Sequence, residues 1–246
     1  MAEIDNTIYE KLGERWYEAW DDPVALLRAE NHVKTPWILE RIRQNFGETK
    51  ATILDVGCGA GFLSNALAKE GYPVSGVDLS SDSIRVAKLY DKTNSVAYET
   101  ADALHLPYAD QSFDVVTCMD FLEHVEHPEM FIKEFSRVLK PGGLFFFHTF
   151  NRSPLSWLMV IKMVEWLVKN TPKHMHVLHL FIKPSELKDF CRKAGLTVRD
   201  MTGIRPVFSS IPLRNYFSGV VPQTLKFKLT GPCLLSYLGY ARKETL

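Results

Sequence analysis

The chain has 246 residues, 46% of them apolar, and its 29 basic and 29 acidic side chains cancel to a formal charge of zero. That length can bury a good core as one α/β domain with an added lid, and the neutral balance removes the electrostatic case for nucleic acid as the main partner, leaving small molecules. Cys58, Cys118, Cys191 and Cys233 are scattered without a CxxC pair, so reduced thiols and a cytoplasmic setting are expected, and the longest apolar run falls short of the roughly 20 residues that a bilayer crossing needs.

Residues 1–48 read as a helical N-terminal segment, with apolar residues at helical spacing in WYEAW and TPWILERIRQNF. Pro36, following Thr35, suits a first helical position. From residue 52 strands and helices alternate: TILDV as a buried strand, GFLSNALAKEG as a helix, PVSGVD as a strand, SSDSIRVAKLYDK as a helix. VAYETAD and FDVVTCM follow as strands, then a helix from about 128 to 139, a KPGG turn and the strand LFFFHTF. PSELKDFCRKAG reads as a helix capped through Ser185, and LTVRDMTGI and LLSYLGYARK close the sheet. Such alternation builds a mostly parallel sheet. Residues 151–182 and 205–230 break it and are read as substrate-lid segments beside a cofactor-binding core over 50–150.

In ILDVGCGAGF an apolar strand ends in Asp55, and Gly57, Gly59 and Gly61 precede a helix. Glycines let the backbone turn tightly and let a ligand lie against the main chain. The GxGxG spacing differs from the dinucleotide GxGxxG, and alone it is more often ordinary turn chemistry than a ligand site. Asp78 strengthens it: it ends the next strand 21 positions after Gly57, where a carboxylate can accept from both ribose hydroxyls. Asp102, ending the third strand, is placed to accept from an adenine amino group.

On DVGCGAG, Asp78 and Asp102 the chain resembles the class I S-adenosylmethionine-dependent methyltransferases, over about residues 50–150. This resemblance implies a Rossmann-like, seven-stranded, mostly parallel sheet with the last strand antiparallel, and S-adenosylmethionine as methyl donor. More narrowly, CMDFLEHV is similar to the CMEMLEHV segment of the ubiquinone-biosynthesis O-methyltransferases, and FNRSP and HVLHLFIKPSEL to that family's NRNP and HDVKKFIKPAEL. The resemblance implies O-methylation of a phenolic or catecholic hydroxyl on a polyprenylated ubiquinone precursor. It also places Gly57, Asp78, Met119 and the N-terminal Arg28 against S-adenosylmethionine, beside Asp55, Gly59 and Asp102. Asp120 stands where the family has glutamate, and residues 206–222 read as an insertion.

If a helical turn begins after Met119, Asp120, Glu123 and His124 share one face. Two carboxylates and an imidazole suit Mg²⁺, which would make a bound catechol oxygen nucleophilic, and the family resemblance supports a divalent cation there. Without a metal, His124 accepts the phenolic proton and Glu123 orients it. A third reading makes Asp120 a helix cap and His124 a half-buried surface residue. His174, His176 and His179 lack the acid or cysteine that would complete a zinc site; His176 reads as a lid contact, and His148 as either a crevice or a core residue.

PLSWLMVIKMVEWLVKN, residues 154–170, is apolar around most of a helix. It packs against the sheet, or it lies in a membrane interface with Trp157 and Trp166 as anchors and admits a prenylated substrate, peripheral at the inner membrane face. The alternatives to a quinone-precursor enzyme are a methyltransferase for another small acceptor, and a non-catalytic accessory protein that binds quinone intermediates or associates with quinone-biosynthesis enzymes.

Overall fold

A computed structural model describes residues 6–245 of the chain, so the predicted helical start over residues 1–5 lies outside the described residues. A 3₁₀ turn, Asn6–Lys11, leads into α1, Arg15–Glu18, and α2, Val24–Phe46. Pro36 sits inside α2 rather than at its start. An interior proline costs a helix roughly 3 kcal/mol; the helix continues because the turn beyond it buries Trp37, Ile38 and Ile42, and burial of each large apolar side chain returns about 1.5–3 kcal/mol.

The alternating core follows: β1 Ile53–Val56, α3 Phe62–Lys69, β2 Val74–Asp78, α4 Ser81–Tyr90, β3 Ala97–Thr100, β4 Phe113–Met119, α5 Pro128–Val138 and β5 Leu139–Phe150. Next come α6 Pro154–Ser156, a π-helical turn Trp157–Lys162 and α7 Met163–Leu167, then α8 Pro184–Lys193, β6 Leu196–Pro206, β7 Phe227–Thr230 and β8 Ser236–Lys243. The predicted KPGG turn belongs to β5: Phe113 pairs with Leu139 and Val115 with Leu144, so residues 140–143 bulge against one residue of β4. The start of α8 also differs from expectation. Lys183, not Ser185, is its cap residue, and the Lys183 N–H donates to Glu186 at 3.0 Å.

The sheet has eight strands in the order β3-β2-β1-β4-β5-β8-β6-β7, one more than the seven expected. Strands β1 to β5 pair in parallel, and β8, the last in sequence, runs antiparallel between β5 and β6 as expected. The extra strand, β7, lies antiparallel on β6 at the edge and comes from the 205–230 segment that broke the alternation. Side chains of β5 alternate between the two faces. Phe145 and Phe147 pack with Ile132 and Phe135 of α5 and with Leu187 of α8. Leu144 and Phe146 pack with Trp37 and Ile38 of α2 and Leu67 of α3. With both faces covered, the parallel strands can be apolar throughout, and polar groups collect at their C-terminal ends.

Candidate active site

The turn from β1 into α3 is shaped for a ligand that lies on the backbone. Gly57 adopts φ +66°, and a Cβ there would stand 2.6 Å from a ring carbon of Phe121, so no other residue fits without strain. Asp78, at the end of β2, ties this loop down. One carboxylate oxygen accepts the Gly59 N–H at 2.8 Å and the other the Ser80 N–H at 2.9 Å. Burial pushes the Asp78 carboxyl up, partly offset by these N–H donors.

Asp55 is buried under the same loop, accepting from Ser64 Oγ at 2.5 Å and Thr117 Oγ1 at 2.6 Å. Its burial pushes the carboxyl up to about 6. Asp102 accepts the Leu104 N–H at 2.9 Å, with His105 Nδ1 3.0 Å away.

Gly57, Gly59, Asp78, Asp102 and Met119 all border one cavity of about 570 Å³. Arg28 is not among its lining residues. Its guanidinium donates to the Trp16 and Ala19 carbonyls and lies over the Trp20 ring, 4.8 Å from the centroid, so it secures the N-terminal segment. S-adenosylmethionine fits the residues present: a glycine cradle that a Cβ would fill, and acids ending adjacent strands for ribose hydroxyls and an adenine amino group. When bound, it supplies an electrophilic sulfonium methyl.

The same cavity is also bordered by Asp120 and His124, which follow Met119 in the chain. Here Asp120 has φ +54°, uncommon for a non-glycine residue, and a 3₁₀ turn, Leu122–His124, follows. Asp120, Glu123 and His124 do not gather around one point. The Asp120 oxygens are 2.5 Å from Lys34 Nζ and 2.5 Å from His148 Nδ1. Glu123 accepts from Thr149 Oγ1 at 2.8 Å. The Tyr9 hydroxyl lies 3.4 Å from His124 Nε2, and the His176 ring packs 5.3 Å from the His124 ring. Among the described residues, the group close enough to hold an ion is instead Glu30, Asp120 and His148. The set expected to bind Mg²⁺ therefore does not fit the ion.

The electrostatics separate these groups. Burial works to raise the Asp120 carboxyl, but Lys34 and His148 outweigh it and hold it well below the usual carboxylate range. Burial, reinforced by the Asp120 charge, pushes Glu123 up to about 8. Burial lowers His124 to about 4 and His176 to about 3. At neutral pH His124 and His176 are uncharged bases and Glu123 keeps its proton.

His148 is fully buried, the core alternative, yet it also meets Asp120. His174 and His179 are exposed. Tyr9, Glu30, Lys34 and Thr149 were missed by sequence reasoning. The only local signal was Glu30 four residues before Lys34, a spacing that more often marks a solvated helix face.

A Rossmann-like sheet with a glycine cradle and strand-end acids opening onto an apolar acceptor cavity defines an S-adenosylmethionine-dependent methyltransferase, and the family described as a methyltransferase domain matches residues 54–147. The fold is shared with a SAM-dependent methyltransferase of Methanosarcina mazei, at TM-score 0.58 and 23% identity over 83% of this chain and 98% of that one. It is also shared with the magnesium protoporphyrin IX methyltransferase of Synechocystis PCC 6803 with bound SAH, at TM-score 0.61 and 17% identity over 90% and 85%. More particularly, the chain belongs to the ubiquinone biosynthesis O-methyltransferase family. It is 40% identical over 211 residues to the protein of that name from Pseudomonas fluorescens SBW25, covering 83% of this chain and 88% of that protein. A Pseudomonas putida relative of the same name is 38% identical over 200 residues, covering 80% and 84%.

Proposed function

We propose that this enzyme transfers the methyl group of S-adenosylmethionine to a phenolic or catecholic hydroxyl of a prenylated ubiquinone precursor, with His124 as the base. The observation that carries the reading is one cavity bordered at once by Asp78, by a neutral, buried His124 and by apolar side chains including Met159, Met163, Val221 and Leu225. A head group at His124 leaves its tail among the apolar side chains.

Gly57, Gly59, Asp78, Asp102 and Met119 hold the methyl donor in this proposal, and Arg28 supports them by fixing the N-terminal segment over the site. His124 takes the hydroxyl proton at Nε2, the atom that the Tyr9 phenol already approaches. An imidazole lowered to about 4 is a weak base toward a free phenol. It suffices once methyl transfer has begun, because the oxygen then becomes positive and its proton acidic. Glu123, neutral and held by Thr149, positions the turn that carries His124. The Mg²⁺ expected at Asp120, Glu123 and His124 has less support than this base, since the three side chains are turned to different partners.

Residues 151–182 and 205–230 form the lid in this reading. Among the described residues no helix is long and apolar enough to cross a membrane. Exposed Trp157 and Trp166 support peripheral contact with a bilayer surface, from which a prenylated acceptor would enter, close to other quinone-biosynthesis enzymes.

The decisive experiment is methyl transfer from radiolabelled S-adenosylmethionine to catechols with and without prenyl tails. Labelled ether products from the tailed catechols, at a kcat/KM at least tenfold above the untailed ones, are expected. If S-adenosylhomocysteine binds by calorimetry and no catechol is methylated, another acceptor is indicated; if neither occurs, the protein is a non-catalytic accessory.

A further inference from the structure

A buried cation, Lys34, lies behind the cavity wall beside Glu30 and Asp120, which both line it. Lys34 lies mid-way along α2 with its side chain fully buried. Its Nζ is 3.1 Å from a Glu30 oxygen and 2.5 Å from one Asp120 oxygen, while the other Asp120 oxygen is 2.5 Å from His148 Nδ1. Ligand atoms of Glu30, Asp120 and His148 all lie within 4.8 Å of one another. Two carboxylates and an imidazole at that spread are a donor set for a divalent ion, but the lysine ammonium already bonds both carboxylates. A second cation against the same oxygens would face like-charge repulsion at close range in a desolvated pocket. Glu30 and Asp120 both border the cavity, so the ammonium acts on the acceptor through them.

We infer that Lys34 is the resident cation of this acceptor site, taking the place of a divalent metal by pairing with Glu30 and Asp120, so that methyl transfer proceeds without a metal. Lys34 is a positioning residue: it neutralises the two carboxylates beside the acceptor and holds Asp120 in its left-handed backbone, which in turn fixes His148. Aspartate at position 120 suits this arrangement, because the lysine supplies the reach along its four-carbon stem. The inference rests on the reading of this cavity as the acceptor site.

The test uses Mn²⁺ as the probe. Wild-type protein stripped with EDTA and desalted is titrated with Mn²⁺, and the free ion is followed by electron paramagnetic resonance. The wild type is expected to show no stoichiometric site and, with a prenylated catechol, a turnover changed less than twofold by EDTA. Lys34→Met, which removes the charge at similar length, is expected to bind one equivalent of Mn²⁺ and to melt at a higher temperature in its presence. One equivalent bound by the wild type, with activity lost in EDTA, overturns the inference; so does a folded Lys34→Met that binds S-adenosylhomocysteine and takes up no Mn²⁺. If Lys34→Met does not fold, the wild-type titration decides. If no catechol is methylated, the proposed acceptor fails, while the two Mn²⁺ titrations still decide the role of Lys34.

Discussion

His124 and Glu123 are adjacent in the chain, and burial pushes their protonation in opposite senses while leaving both uncharged near neutrality. His124 falls to about 4, and Glu123, which also feels the Asp120 charge, rises to about 8. The consequences for stability follow from linkage. Above about pH 6.5 the histidine is neutral in both folded and unfolded chains and contributes no slope. The unfolded Glu123 is ionised there while the folded one keeps its proton to about pH 8. The unfolded state then binds fewer protons, so this contribution is complete below the ordinary carboxyl range and is lost as pH rises through 8. Below pH 6.5 the unfolded histidine takes up a proton that the folded one refuses until about 4, so that group opposes Glu123 on the acid side. Urea denaturation should show stability falling from pH 6.5 to 8 by on the order of 2 kcal/mol. Glu123→Gln, an uncharged stand-in for the protonated acid, should flatten that decline; an undiminished slope in the variant would remove Glu123 as its cause.

Two helices set the site, and each departs from its sequence pattern for a tertiary reason. Helix α2 runs through Pro36, which keeps Glu30 and Lys34 on the same stretch as the apolar residues beyond the proline. A helix beginning at Pro36 would have included neither of them. The segment from Pro154 to Leu167 contains a π-helical turn, a feature that often marks functional sites because it re-aims side chains. Met159 and Met163 border the cavity while Trp157 and Trp166 are exposed. Of the alternatives read from residues 154–170, core packing and a membrane interface, the inward contacts support the first, with Ile161 buried beside Phe150 and Phe181. Met163→Glu places a charge on the apolar chamber wall, which burial penalises. We expect it to raise KM for a prenylated catechol at least tenfold and leave untailed catechol kinetics within twofold; equal losses on both substrates would show that Met163 does not meet the tail.

At the scale of the molecule, the sheet brings the ends of β1, β2, β4 and β5 to one side, and residues of the segments following β5 and β6 line the same cavity. Several large apolar side chains of these segments are exposed: Trp166 67%, Leu213 79% and Phe217 88%. Large exposed apolar side chains suit contact with a lipid surface. With a formal charge of zero, binding should depend little on lipid charge. In a flotation assay the wild type should rise with neutral as well as anionic vesicles, and the double variant Trp157→Ser, Trp166→Ser should lose most of that binding; a wild type that stays at the bottom with both vesicle types would sink the membrane contact. The chain's sequence alone determined the alternating core, the cradle at Gly57, the acid at Asp78 and the family, because strand, turn and helix signals there are local and lie within a few residues of one another. Only the tertiary structure decided the eighth strand, the course of α2 through Pro36 and the partners of Asp120. Lys34 and His148 lie 86 and 28 residues from it in the chain. A buried lysine is stable only where folding delivers its carboxylates, and no local pattern records which distant acid will arrive.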